Sequence, residues 1–216
     1  MGNAKISPQP NGPLKVEGGV PLFDAEGAEV EARETYFLCR CGRSGNKPFC
    51  DGSHKKVDYA PEVDEDRRLG TLAYRAEIEG LPVEVRYSPL LCSHAAVCVA
   101  TSSAVFDPDR KPWIKPGEGD LSTLRKAVGG CPSGALRLST GDAAEAGHIT
   151  APPEVEAITV TRDGPYKVSH VALDAAFEAE GASTEKYVLC RCGRSGNAPF
   201  CDGSHRDAKW SDEERA

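Results

Sequence analysis

The sequence predicts a β-rich α+β protein of three modules, the outer two being copies of one another. The segment TYFLCRCGRSGNKPFCDGSH at residues 35–54 recurs as KYVLCRCGRSGNAPFCDGSH at residues 186–205, with 17 of 20 positions identical. Upstream, NGPLKV at residues 11–16 corresponds to DGPYKV at residues 163–168. A second observation is a set of short stretches rich in β-branched and aromatic residues, TLAYRAEI, VEVRYS, EAITVTR and KYVLC, set between Gly and Pro, which read as strands. The third is a single clear helical period between the copies: Leu121, Leu124 and Val128 share one face behind Asp120 as cap, with Gly129 and Gly130 as the stop. DAAFEAE, from residue 174, is a weaker helical candidate.

The repeat sets the boundaries. One copy occupies residues 1–66, ending in the charged run DEDRRLG. A segment of different character fills 67–150, and the second copy occupies 151–216.

Composition narrows the function. The 216 residues carry 26 Lys and Arg against 33 Asp and Glu, a net charge of −7. No basic face dominates, which argues against nucleic acid as a partner. No apolar run approaches the roughly 18 residues of a membrane helix, and the opening segment lacks the apolar centre of a signal peptide. Gly2 is followed by Ile6 where N-myristoylation wants Ser or Thr. A cytoplasmic protein is expected, and in a reducing cytosol the nine cysteines point to metal ligation rather than to disulfides. No nucleophile elbow, P-loop or dinucleotide fingerprint is present, so no enzyme activity is expected.

Each copy supplies three thiols and one imidazole: Cys39, Cys41, Cys50 and His54, then Cys190, Cys192, Cys201 and His205. These donors suit zinc and iron-sulfur clusters alike. Structural zinc sites usually open with two cysteines separated by two to four residues, whereas only one residue separates them here. The later Cys and His stand four apart, so one helical turn can present both to a second iron, with the intervening Asp as its cap.

The pattern C-x-C-x2-S-x3-P-x-C-D-G-S-H stands twice without departure and closely resembles the CDGSH iron-sulfur domains, the mitoNEET-like family. The resemblance implies a 2Fe-2S cluster in each copy, with Cys39 and Cys41 on one iron and Cys50 and His54 on the other, repeated by Cys190, Cys192, Cys201 and His205. It also implies a two-fold dimer with exchanged strands. Here both copies share one chain, and the 135 residues between His54 and Cys190 let the second fold back, so an intramolecular pseudo-dimer, a monomer with internal pseudo-two-fold symmetry, is expected. Exchange between two chains is the other arrangement.

Three thiolates leave an oxidised 2Fe-2S site one negative charge, where four cysteines would leave two. Electron uptake is then less opposed, the direction seen in Rieske centres. Histidine titrates near neutrality, at about pKa 6.5 when unperturbed, so protonation competes with iron and mild acid should loosen the clusters. The expected role is electron transfer, cluster transfer or both, toward a redox partner or an apo-acceptor protein. Residues 39–56 carry a net charge of +4 and residues 190–209 one of +2. Such basic rims can stabilise the reduced site and steer an acidic partner; their plain alternative is a solvated edge.

The other three cysteines lie in the middle: Cys92 and Cys98 in L-C-S-H-A-A-V-C, and Cys131 in G-G-C-P-S-G-A-L. This resembles single-cluster bacterial ferredoxins, and most closely the divergent ferredoxin-like domains found with CDGSH motifs. Ala95 stands where an ordinary 4Fe-4S site has its second cysteine. A 3Fe-4S cluster, a 4Fe-4S cluster whose fourth ligand is non-protein or His94, and three buried structural thiols all stay open.

His148 and His170 have no neighbouring ligands, and Trp113 and Trp210 read as packing or covering residues. The competing class is a structural zinc-binding interaction module without redox activity.

Overall fold

The first copy opens on a turn whose sequence explains its shape. Asn11 takes a left-handed backbone conformation, φ 46°, which Asn tolerates because its short polar side chain bonds locally. The N–H of Gln9 donates to Pro13 O at 2.9 Å, closing a hairpin of β1 (Lys5–Pro8) and β2 (Leu14–Glu17). Two short strands follow, β3 (Leu22–Phe23) and β4 (Glu29–Val30), before β5 (Thr35–Leu38) leads into the first C-x-C. A computed structural model describes residues 4–61, 70–141, 143–145, 155–174 and 185–216. Gly2, His148, most of the DAAFEAE segment and the module junctions at 66/67 and 150/151 lie outside the described residues.

In the middle module, β6 (Leu72–Ile78) and β7 (Leu81–Tyr87) form a hairpin through Glu79 and Gly80, both at positive φ, 54° and 77°, the backbone that a tight two-residue hairpin demands. β8 (Leu136–Thr140) and β9 (Ala143–Glu145) complete an antiparallel sheet in the order β6-β7-β8-β9. Two helices accompany it, α1 (Val97–Thr101) and α2 (Leu121–Gly130). Asp120 caps α2 as expected, its carboxylate accepting from Thr123 N–H at 2.7 Å; Leu124 and Val128 are buried, with Leu121 packed beside them. The helix closes at the glycine pair, its last residue being Gly130, with Cys131 as its C-cap. The glycine serves packing: a Cβ on Gly130 would lie 3.0 Å from Val97 Cγ1 on α1.

The second copy repeats the first. Asp163 stands at φ 48° and Thr161 N–H donates to Pro165 O at 3.0 Å, joining β10 (Ala157–Val160) to β11 (Tyr166–Ser169). β12 (Ala172–Leu173) and β13 (Lys186–Leu189) follow, and a short helix α3 (Ser204–Asp207) carries the last histidine.

The copies do not fold apart. One sheet runs β12-β1-β2-β5 and another β13-β11-β10-β3-β4, so each takes strands from both ends of the chain. The exchange is reciprocal and parallel: Leu22 and Phe23 lie opposite Ile158 and Thr159, and Ala172 and Leu173 opposite Lys5 and Ile6. Alternation along the strands sends Ile6, Leu14, Val16, Ile158, Tyr166 and Leu189 into one shared core, each fully buried or within 2% of it. The middle module reaches this core through Leu91 and Ala135, with Cys92 and Cys131 packed against it. Among the described residues no helix is long and apolar enough to cross a membrane.

Candidate metal centres

β5 ends one residue before Cys39, and a return loop brings Cys50 alongside. Cys39 N–H donates to Pro48 O and Cys50 N–H to Phe37 O, both at 2.8 Å; in the second copy Cys190 N–H donates to Pro199 O at 2.8 Å and Cys201 N–H to Val188 O at 3.0 Å. The four side chains of each copy then stand as two pairs. Cys39 Sγ and Cys41 Sγ are 3.8 Å apart, and Cys50 Sγ lies 3.4 Å from His54 Nδ1. The second copy gives 3.7 Å for Cys190 and Cys192 and 3.4 Å for Cys201 and His205 Nδ1. Among the described residues no three such donors converge on one point as a mononuclear site requires.

The turn bearing each histidine is built differently from the expected Asp cap. Gly52 and Gly203 hold the cap position at φ 91° and 93°, a conformation that costs glycine little. Asp51 instead accepts from Ser53 N–H at 2.9 Å and Gly45 N–H at 2.8 Å, fastening the turn to the C-x-C loop; Asp202 does the same with Ser204 N–H at 3.0 Å and Gly196 N–H at 2.9 Å. The bonds from Ser53 and Gly45 hold the Asp51 carboxyl well below the usual range.

The donor chemistry fits an iron-sulfur cluster. A hydrogen bond from Cys41 lowers the Cys39 thiol and one from Cys192 lowers Cys190, while Cys41 and Cys192 are raised in turn. Each C-x-C pair therefore gives up its first proton more readily than its second, and the thiolate is the form that binds metal. Burial pushes Cys201 up to about 12 and lowers His205, favouring the neutral ring that a metal needs.

Sequence reasoning misplaced the residue between the paired cysteines. Arg40 and Arg191, counted above in the basic rims, are 5% and 2% exposed. Arg40 donates to Gly12 O at 2.9 Å and Gln9 O at 2.6 Å; Arg191 donates to Gly164 O at 2.8 Å and Thr161 O at 2.9 Å and pairs with Asp212. Each guanidinium fork thus ties a C-x-C loop to the turn that opens its own copy. The signal was present, since the Arg and the N/D-G-P turn repeat together.

The two centres abut. A Cβ on Gly42 would lie 2.4 Å from Cys192 O, and one on Gly193 would lie 2.6 Å from Cys41 O. Tyr166 of the second copy donates to Cys39 O at 2.8 Å and Pro48 O at 3.0 Å in the first. Trp210 covers Cys190 and Cys192 while its Nε1 donates to Gly42 O at 3.2 Å; Tyr59 packs in the same way on Cys39 and Cys41. Trp113 packs edge-on against Tyr74 and Tyr87. Glu214, near the C-terminus, pairs with Arg43 at 2.8 Å and with the corresponding Arg194 at 3.1 Å.

Cys92, Cys98 and Cys131 line one pocket of the middle module, together with His94 and Tyr87. Burial raises the Cys92 and Cys98 thiols. His94 Nδ1 lies 2.9 Å from Asp202 O, so that nitrogen faces the second copy. His170 stays apart from every donor set, with its Nε2 buried and unbonded.

Each copy thus brings a Cys pair and a Cys-His pair together on a β scaffold. The comparisons agree. Residues 11–55 and 163–206 match the family described as "Iron-binding zinc finger CDGSH type", and residues 78–141 match "Divergent 4Fe-4S mono-cluster". The chain is 40% identical over 58 residues to "Uncharacterized protein YjdI" of Escherichia coli (strain K12), covering 27% of this chain and 76% of that one. It is 65% identical over 26 residues to "CDGSH iron-sulfur domain-containing protein 3, mitochondrial" of Mus musculus, covering 12% of this chain and 19% of that one. The chain belongs to the CDGSH family, with two copies flanking a divergent 4Fe-4S domain.

Proposed function

We propose that the chain is an electron carrier and cluster donor holding two 2Fe-2S clusters, one on Cys39, Cys41, Cys50 and His54 and one on Cys190, Cys192, Cys201 and His205, with a third cluster of 3Fe-4S or 4Fe-4S type on Cys92, Cys98 and Cys131. The observation that carries this is the repeated pairing of donors: a Cys pair at 3.8 and 3.7 Å and a Cys-His pair at 3.4 Å in each copy. Two pairs per copy suit two irons better than one zinc.

A bound 2Fe-2S cluster supplies a one-electron couple. The chain's own residues hold and tune it. The C-x-C thiolate would anchor the inner side, and the Cys-His turn, fastened by its Asp, would present its imidazole on the outer side. Arg40 and Arg191, buried between the paired cysteines, hold each C-x-C loop to the turn that opens its own copy. We read the reciprocal strand exchange as an intramolecular pseudo-dimer in a monomer, working in a reducing compartment such as the cytoplasm, where its nine free thiols persist. Its partners are a redox protein or an apo-acceptor, and no catalytic role is assigned.

Iron, sulfide and zinc analysis with absorption and EPR spectra, on anaerobically purified protein and on a Cys92→Ala variant, tests this reading. Iron and sulfide in both, with a cubane signal lost only in the variant, are expected. A colourless protein holding zinc and no sulfide overturns it in favour of the structural zinc module.

A further inference from the structure

The twenty-residue repeat departs from itself at three places, and at one of them Lys186 stands where the first copy has Thr35. Thr35 is exposed. Lys186, on the edge strand β13, is 8% exposed, because the end of α2 from the middle module lies over it. Its ammonium donates to Val128 O at 3.2 Å and Gly129 O at 2.9 Å. The N–H of Cys131 donates to the same Val128 O, also at 3.2 Å. One carbonyl therefore receives both an ammonium of the second copy and the backbone of a middle-module cysteine.

A buried ammonium calls for a full counter-charge. Among the described residues its partners are these two carbonyls, and no carboxylate forms an ion pair with it. The C-terminal end of a helix offers about half a negative charge, less than the ammonium carries. Burial lowers the Lys186 ammonium, and Cys131 is the first of the groups that oppose this, ahead of the adjacent Glu185. Cys131 shares one pocket with Cys92 and Cys98. Three thiolates outweigh the small positive charge of a 3Fe-4S or 4Fe-4S core, so a cluster held there is a net anion, the counter-charge that this ammonium otherwise lacks.

We propose that Lys186 of the second copy is the counter-charge of the third centre, stabilising the reduced form of the cluster on Cys92, Cys98 and Cys131 and so raising its potential. Reduction adds one electron from a dithionite donor to a site that is already negative; the ammonium keeps its proton, and no bond forms or breaks. A buried cation acts on that electron more strongly than a surface cation, which water and salt screen. The first copy could not serve the middle module in this way, since Thr35 carries no charge. This inference rests on the reading of the three middle cysteines as a cluster site.

The test is an EPR-monitored dithionite titration of the anaerobically purified full chain, as the parent and as Lys186→Met, Lys186→Arg and Asn197→Ala. Asn197 Nδ2 donates to Leu90 O at 3.1 Å between the same two modules, so its loss loosens their contact without removing a charge. Lys186→Met should lower the reduction constant of the third cluster at least about tenfold, which is ~59 mV for one electron, and should move the 2Fe-2S couples less. Lys186→Arg keeps the charge and should stay close to the parent, as should Asn197→Ala. Loss of the third signal in Lys186→Met but not in Lys186→Arg supports the proposal equally, the anionic site failing without its cation. An unchanged potential in Lys186→Met, an equal fall in Asn197→Ala, or loss of the third signal in both Lys186 variants overturns it. A parent with 2Fe-2S signals and no third signal overturns the underlying reading instead.

Discussion

A side chain on Gly42 would strike the carbonyl oxygen of Cys192, 2.4 Å from where its Cβ would sit. The contact is matched by Gly193 against Cys41 O, so the C-x-C loops of the two copies meet backbone to backbone. Neither loop can be moved without the other.

Gly42→Ala should therefore cost more than an ordinary loop substitution. Its φ of 76° is strained for alanine, worth about 1 kcal/mol, and overpacking adds about 1–3 kcal/mol. Gly80 has almost the same φ, 77°, but open space around it, so Gly80→Ala should show the strain alone. Denaturant unfolding of the two variants makes the comparison; equal losses would mean that the loops part readily.

Arg40→Ala should strip the first centre while sparing the second. The guanidinium is buried and donates to Gly12 O and Gln9 O; Gln9 O keeps the Gly12 N–H as a donor, but removing the guanidinium takes away the donor that reaches buried Gly12 O, at about 1–3 kcal/mol. Roughly half of the 2Fe-2S absorption should be lost while the cubane signal stays. Full retention would show that the tether is dispensable.

Acid should release iron through the histidines. Burial lowers His205 in the folded chain, so below the ordinary histidine value of about 6.5 the unfolded chain takes up a proton that the folded ring refuses. Stability contributed by this ring is present above that pH and declines as pH falls toward the lowered folded value. Visible absorption followed from about pH 8 down to about pH 5 should decay in the parent and persist when both His54 and His205 are replaced by Cys. Decay at the same pH in that variant would place the weak point elsewhere.

Lys186→Ala should loosen the middle module from the second copy. Its ammonium, 8% exposed, donates to Val128 O at 3.2 Å and Gly129 O at 2.9 Å at the end of α2, a favourable charge at a helix C-terminus. Charged hydrogen bonds of this kind contribute about 1.5–3 kcal/mol. Hydrogen exchange should quicken in α2 and around Cys131 with little change in the first copy; uniform quickening would mean that the loss is global.

The donor sets, the turns NGP and DGP and the strands beside them were legible because each is short-range: Cys39 and Cys41 are neighbours but one, and the Cys50–His54 spacing is one turn. Arg40 was misread as rim because its partners Gln9 and Gly12 lie about thirty residues away in sequence, a separation that no local pattern encodes. The helix does end at Gly130, but the close approach of Gly130 to Val97 was not legible because Val97 belongs to another helix.

By itself the sequence determined the candidate donors, two Cys3His sets and a third cysteine triplet, since side-chain type and spacing are local properties. Only the tertiary structure decided that the copies are unequal. Both carry the same motif, but burial depends on what packs from outside it, and the middle module seats Ser93 and His94 on the corner of His205 while leaving that of His54 open.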